Sequence, residues 1–251
     1  MSAIVLLKLL LVPALIYAVT LAGRRWGPGV AGWLSAFPIV SGPILLILAL
    51  EQGPEFAATA AQGTLLAVLA ILVFSLAYAW TAQRRSWPDC LILALCCYGL
   101  ALLGLRKVDA PLSIAFGSVI VAVALTPLLL PAVPRWVHAR RRGNDLPWRM
   151  GAAAALVLLV TFAASRLGPR LSGLLAMFPV MSTVLVAFSH RESGKDFAVH
   201  LLRGMVYGYY AFACFCAVLV LTLPQWGIAW AFVAALAAAL PAHVIARRFM
   251  A

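Results

Sequence analysis

Nine stretches of the chain are apolar enough to be membrane helices, at about 3–22, 29–50, 57–80, 89–105, 110–132, 149–165, 170–189, 197–222 and 227–246. An apolar run of about 20 residues spans the hydrocarbon of a bilayer as a helix, the form that satisfies its backbone polar groups within one segment. Polar residues gather in short clusters between these runs, the most basic being "RWVHARRRGNDLPWR". The pattern predicts an all-α, polytopic integral membrane protein with nine transmembrane helices. The fourth run, "CLILALCCYGLALLGL", is the shortest for a span. The first lacks the basic start and the small-residue cleavage site of a signal peptide, so it is read as a span.

One of these runs contradicts its own pattern. "GPGVAGWLSAFPIVSGP", residues 27–43, sets prolines and glycines inside the second segment. Further on, residues 168–183 read "GPRLSGLLAMFPVMST". The two are related by a shift of 141 residues. Arg25, Gly27, Pro28, Gly32, Leu34, Phe37, Pro38 and Ser41 fall on Arg166, Gly168, Pro169, Gly173, Leu175, Phe178, Pro179 and Ser182. Glu51, Gly53, Phe56, Ala57 and Gly63 fall on Glu192, Gly194, Phe197, Ala198 and Gly204, so 13 of 39 ungapped positions are identical. Lys8 meets Arg149, and Arg106 and Lys107 meet Arg247 and Arg248. Hydrophobic similarity alone does not hold charges and prolines at one offset. The chain is therefore read as two repeats, 1–107 (segments 1–4) and 149–251 (segments 6–9). Residues 108–148, with segment 5 and a basic loop, connect them. Segments 1 and 6 are five crossings apart, an odd number, so the copies would enter the membrane from opposite sides. Inverted repeats with discontinuous helices meeting near the midplane mark secondary transporters.

The broken segments supply the candidate chemistry. Pro38 and Pro179 lie near the middle of segments 2 and 7, where a proline removes an N–H and crowds the carbonyl four residues back. Those carbonyls belong to Leu34 and Leu175, and Pro43 adds a further break beside Gly42. Freed backbone groups at membrane depth must find partners or line a polar cavity. Phe37, Pro38 and Ser41, with Phe178, Pro179, Ser182 and Thr183, are the expected substrate-binding residues. The Gly-Pro pairs 27–28 and 168–169 read as tight turns followed by Pro at the first helical position. Ala31, Ser35, Ser172 and Ala176 suit close helix contact.

Charge refines the picture. The chain is 65% hydrophobic and 10% charged, against about a quarter charged in a soluble domain. The net charge of +12 is not a nucleic-acid footprint, because loop Lys and Arg orient membrane helices. With nine spans, fourteen of the basic residues fall on the side holding the 135–149 linker and the C-terminus, and five on the other. This places the protein in the inner membrane with its N-terminus outside and its C-terminus cytoplasmic.

The acids are few. Lys8 with Glu51, and Arg149 with Glu192, each fall at one membrane face, as two symmetric gating or ion-coupling pairs would. Glu55 and Asp196 suit the first turn of a helix. Asp196, His200, Arg203 and Tyr207 share a helix face and meet Glu55, Thr59, Gln62 and Leu66 in the first copy. This unequal stripe makes His200 and Arg203 further gating or specificity candidates.

The run "GLLAMFPVMSTVLVAF" resembles the small GlpM-like bacterial membrane proteins, which carry a similar Gly-Leu then Phe-Pro stretch. The resemblance covers roughly one repeat at a time. It implies a duplicated, fused version of such a unit and supplies no catalytic residue. The 4+1+4 plan differs from the 5+5 plan of drug/metabolite transporters.

Cys90, Cys96, Cys97, Cys214 and Cys216 lie in apolar runs, odd in number and without zinc spacing. The sequence has no H-E-x-x-H, no paired intramembrane acids and no Gly-x-Ser-x-Gly elbow. The expectation is a transporter moving a small or amphipathic solute by alternating access, with no catalytic residue, metal or cofactor. Its partners would be membrane lipids and the solute, not nucleic acid, and a homodimer is left open. An integral membrane enzyme, a lipid flippase and a channel are the alternatives.

Overall fold

The computed structural model describes residues 3–105, 108, 110–134, 145–166 and 178–249. It is all-helical, with no strand among the described residues. The helices are α1 (Ala3–Trp26), α2 (Pro28–Ser35), α3 (Ser41–Gln52), α4 (Pro54–Thr81), α5 (Trp87–Leu105), α6 (Leu112–Leu129), α7 (Leu146–Arg166), α8 (Val180–Ser193), α9 (Lys195–Trp226) and α10 (Ile228–Arg248). Six of them, α1, α4, α5, α6, α9 and α10, are long and apolar enough to cross a membrane. They coincide with segments 1, 3, 4, 5, 8 and 9, including the short fourth. The outer faces of these helices are apolar. Leu128 is 80% exposed, and Leu100 and Trp230 are each 70% exposed. In water such a surface would drive aggregation; in lipid it is solvated. The chain is a membrane-embedded helical protein.

Segment 2 is not one helix. It stops after Ser35 and restarts at Ser41, giving α2 and α3. Pro43 makes no second break, contrary to the sequence expectation. It is the third residue of α3, where backbone N–H groups have no intrahelical acceptor and proline removes nothing. Gly27 (φ 94°) caps α2, with Pro28 first in the helix. The Gly168–Pro169 pair, Ser172 and Ala176 lie outside the described residues. Glu55 and Asp196 take the first turns of α4 and α9. Gly53 (φ 93°) and Gly194 (φ 86°) join α3 to α4 and α8 to α9 with the same left-handed turn.

α4 and α9 form the centre and pack directly on each other. Their mutual approach relies on small side chains, with Ala57, Ala61, Ala70, Ala198, Ala211 and Ala213 fully buried. α6 packs on both. Gln62 Nε2 donates to Ala110 O (2.7 Å), and Trp80 Nε1 donates to Leu129 O (2.9 Å). These bonds tie the two ends of α4 to the matching ends of α6, so the helices run together. Arg203, near the start of α9, instead donates to Pro131 O (3.2 Å) beyond the end of α6. α9 therefore runs against α6, and against α4.

The tightest helix contact joins α2 to α9, through glycines that the sequence reading did not single out. A Cβ on Gly32 would lie 1.9 Å from Leu201 O, and one on Gly204 would lie 2.0 Å from Gly29 O. Gly204 and Gly208 form a G-x-x-x-G step, which lets backbones touch. Ala31 is buried nearby, while the Ser35 hydroxyl turns back to Gly32 O (2.7 Å). Because the obstacle is a backbone carbonyl, one added methyl must push the helices apart. Gly204→Ala should lower the thermal midpoint in detergent by several degrees, the scale of about 1–3 kcal/mol of overpacking. Gly117→Ala in α6, which meets open space, should leave it unchanged.

Candidate functional site

The two Phe-Pro breaks have the same local structure. Around Pro38, Ile39 N–H donates to Phe37 O (2.7 Å) and Gly42 N–H to Pro38 O (2.9 Å). Around Pro179, Val180 N–H donates to Phe178 O (2.8 Å) and Thr183 N–H to Pro179 O (2.9 Å). Every bond in one set has its partner 141 residues on. Pro179, at φ −80° and ψ 64°, is the centre of an inverse γ-turn. Proline's fixed φ suits that turn, and its own carbonyl then accepts the first bond of the next helix. The break is thus a closed hydrogen-bonded link between half-helices. The Leu34 carbonyl is not left free, which corrects the sequence expectation. Phe37 N–H bonds to it (3.3 Å), because the chain tightens after Ser35 and brings a nearer amide to the carbonyl that Pro38 cannot serve. Leu175 lies outside the described residues.

Both turns border one cavity of about 190 Å³. Phe37 and Ser41 line it from the first turn, and Phe178, Pro179 and Ser182 from the second. Pro38 is buried but is not part of the lining. Thr183 is buried behind the wall, and its hydroxyl has no partner among the described residues. α4 contributes Thr64 and α9 contributes Tyr209 and Phe212. Each phenylalanine is held by the helix outside it. Phe37 leans on the His243 ring of α10 (centroids 4.8 Å apart), and Phe178 meets Tyr98 of α5 edge-on (6.3 Å).

Among the described residues no Asp, Glu, Lys, Arg or His lines the cavity. Its polar side chains are hydroxyls. Those of Ser35 and Thr64 are committed to backbone carbonyls of their own helices at 2.7 Å. Ser182 Oγ and Tyr209 OH face each other at 3.5 Å, a loose pair within reach of a ligand. Ser41 makes no side-chain hydrogen bond among the described residues. Tyr209 is the member that sequence reasoning missed. Its signal was only a tyrosine beyond the polar stripe of α9, on a different face.

The charged candidates lie elsewhere. Arg149, 5% exposed, donates to Ser189 Oγ (3.2 Å) and reaches Glu192 Oε2 at 3.4 Å. Asp145, just before α7, also pairs with Arg149, and its other oxygen takes Arg24 of α1 at 2.7 Å. The network therefore ties α1, α7 and α8 together. Asp145 had a readable signal in its place four residues before Arg149, but it has no acidic counterpart in the first copy. Glu51 is exposed and has no ion pair among the described residues, and the Lys8 side chain lies outside them. His200 Nε2 donates to Pro134 O (2.9 Å). With Arg203 it fastens α9 to the carbonyls beyond α6, where that helix has run out of amide donors. Both lie outside the cavity lining.

No family model, curated protein or solved structure matches this chain.

The carboxyls of the network titrate apart. Burial first, then the hydrogen bond and charge of Asp145, push Glu192 up to about 7. Burial opposes the charge of Asp145 too, but hydrogen bonds from Glu192 and Arg149 and the charges of Arg149 and Arg24 outweigh it and hold its carboxyl below the ordinary value. A carboxyl whose folded value is raised stabilises the fold fully below its unfolded value of about 4.3. That contribution fades as pH rises through about 7. The thermal midpoint of Glu192→Gln minus that of the parent should therefore climb by a few degrees from pH 5 to pH 8. Thermal shift in detergent checks this; a flat difference would show that Glu192 is not proton-linked to folding.

Proposed function

We propose that the chain is a multi-pass inner-membrane transporter that moves a small or amphipathic solute by alternating access. The solute would sit between the two Phe-Pro turns. One observation carries this reading: two turns 141 residues apart, closed by the same hydrogen bonds, line a single cavity.

The packing supports an inverted repeat of residues 1–107 and 149–251. At the 141-residue offset α1, α3, α4 and α5 correspond to α7, α8, α9 and α10. The α4 and α9 starts match to the residue, as do those of α5 and α10. Exchanging the two sets preserves the main contacts. α1 meets α7, α4 meets α9, α3–α4 matches α8–α9, α4–α5 matches α9–α10, and α6 touches both central helices. A two-fold axis through α6 produces that pattern. The opposed directions of α4 and α9 support an axis in the membrane plane. Nine crossings, with the Arg149 network at the cytoplasmic face, then follow from the distribution of basic residues. In this state that face is tied shut by Arg24, Asp145, Arg149 and Glu192, whereas Glu51 at the opposite face is exposed.

The lining sets the solute. An ion here would need a counter-charge that the described lining does not supply, at a cost of several kcal/mol. Phe37, Phe178 and the aliphatic walls suit an apolar body, and the hydroxyls of Ser41, Ser182 and Tyr209 suit one or two hydrogen-bonding groups.

Uptake of a panel of neutral amphipathic solutes into proteoliposomes tests this. The double variant Pro38→Ala, Pro179→Ala should insert and fold, with flux reduced by an order of magnitude or more. Ser182→Ala should raise the half-saturating concentration with protein yield unchanged. Full flux from the double proline variant would reduce the turns to packing.

A further inference from the structure

The network at the end of α8 holds two carboxyl groups in one partly buried place. Asp145 and Glu192 are both bound to the Arg149 guanidinium, Asp145 through Nε and Glu192 through a terminal nitrogen, so their carboxyl groups share one small region. Asp145 has the stronger claim on the cations. It takes Arg149 through Nε and Arg24 at 2.7 Å, while Glu192 has one long contact of 3.4 Å. Two carboxylates sharing a site raise each other's affinity for a proton, and the one with the weaker hold on the cations takes it.

We infer that the Asp145–Glu192 pair is a proton-binding site that couples one proton to the opening and closing of this face. In the closed state Glu192 carries the proton and donates it to the Asp145 carboxylate, which keeps its bonds to Arg24 and Arg149. Opening separates α8 from the start of α7, and water reaches Glu192. Its proton leaves to the solvent at that face, and the free carboxylate no longer fits beside Asp145. Closing takes one proton back. No other bond is made or broken.

α8 carries this event to the cavity. It is a helix of 14 residues with Ser182 in its first turn and Glu192 in its last, about 15 Å apart along the axis. Freeing one end of a rigid rod moves the other, so proton loss at Glu192 reaches the Ser182–Tyr209 pair.

Other ionisable groups at this end are already engaged or stand apart. On α8, His190 Nδ1 is paired with Tyr78 OH of α4 at 3.1 Å, and Arg191 is exposed. Lys195 and Asp196 follow the Gly194 turn at the start of α9. Asp89, at the start of α5, accepts from Ser86 (2.8 Å), with Cys90 beside it. Arg25 of α1 lies over the Trp26 ring.

This inference deepens the transport reading and rests on it for the direction of coupling. Its test needs no solute. Spin labels on Trp26→Cys and Arg191→Cys, both exposed positions, would be placed in the full chain with its native cysteines changed to alanine and reconstituted in lipid. Pulsed electron resonance is then read on both sides of neutral pH. The expected result is a short distance at acid pH that lengthens by several ångström at alkaline pH. Glu192→Gln, which mimics the protonated side chain, should stay short at both. Infrared spectroscopy of the chain with native cysteines gives a second reading: a protonated-carboxyl band lost as pH rises through neutral and absent from Glu192→Gln. Distances that ignore pH, a Glu192→Gln protein that still responds, or a band unchanged by that substitution would each overturn the proposal. Such a failure would leave the transport reading standing with a different coupling; lack of solute flux with these responses intact would sink the transport reading instead.

Discussion

Backbone hydrogen bonding in a medium without water constrains this structure more than any other force. An amide or carbonyl left open to hydrocarbon costs several kcal/mol, so a helix in lipid is interrupted only where every freed group is otherwise served. The Phe-Pro turn meets that requirement with few residues. Proline has no amide to satisfy, its φ already suits an inverse γ-turn, and its carbonyl begins the next helix. What remains open after the turn is space. The cavity lies where the two turns face each other.

That gap is kept by rigid packing around it. α2 is fixed to α9 by close backbone approach, with Gly204 against Gly29, Gly32 against Leu201 and Gly208 against Trp33. α9 in turn carries Tyr209 and Phe212 to the cavity wall. The aromatic rings behind the turns, His243 on Phe37 and Tyr98 on Phe178, hold the two phenylalanines in equivalent places with different chemistry. The hydrogen bonds of the two turns match, while the side chains behind them do not.

The same division appears in the charges. Arg149 and Glu192 meet, while Glu51 is exposed and the Lys8 side chain lies outside the described residues. Asp145 and Arg24 add a second acid and a second base on one side only. A network of four charges around a buried arginine resists separation, because breaking it leaves charge unpaired in a poor solvent. In the proposed proton site, a proton on Glu192 relieves the repulsion between the two neighbouring carboxylates and so decides how firmly the network holds.

The sequence by itself determined the solvent of this protein, the helical class, the positions of the breaks and the offset that relates them. Each is a property of local chemistry. Apolar runs choose lipid, and the two Phe-Pro steps end in turns although Pro13, Pro127, Pro224 and Pro241 stay inside their helices. Phe37, Ser41, Phe178, Pro179 and Ser182 were therefore legible together, and they line one cavity. Tertiary structure decided what proximity alone can decide. The Leu34 carbonyl was expected to be free, and the chain closed on it, because turn geometry depends on how tightly the preceding helix ends. His200 and Arg203 were read as gating candidates from their shared face, but the end of α6, distant in sequence, claimed them for its unsatisfied carbonyls. Tyr209, the glycine seam and the union of Asp145 with Glu192 join residues 27 to 175 positions apart. No local pattern encodes such distances; only the packing of helices, each satisfied within itself, brings those side chains together.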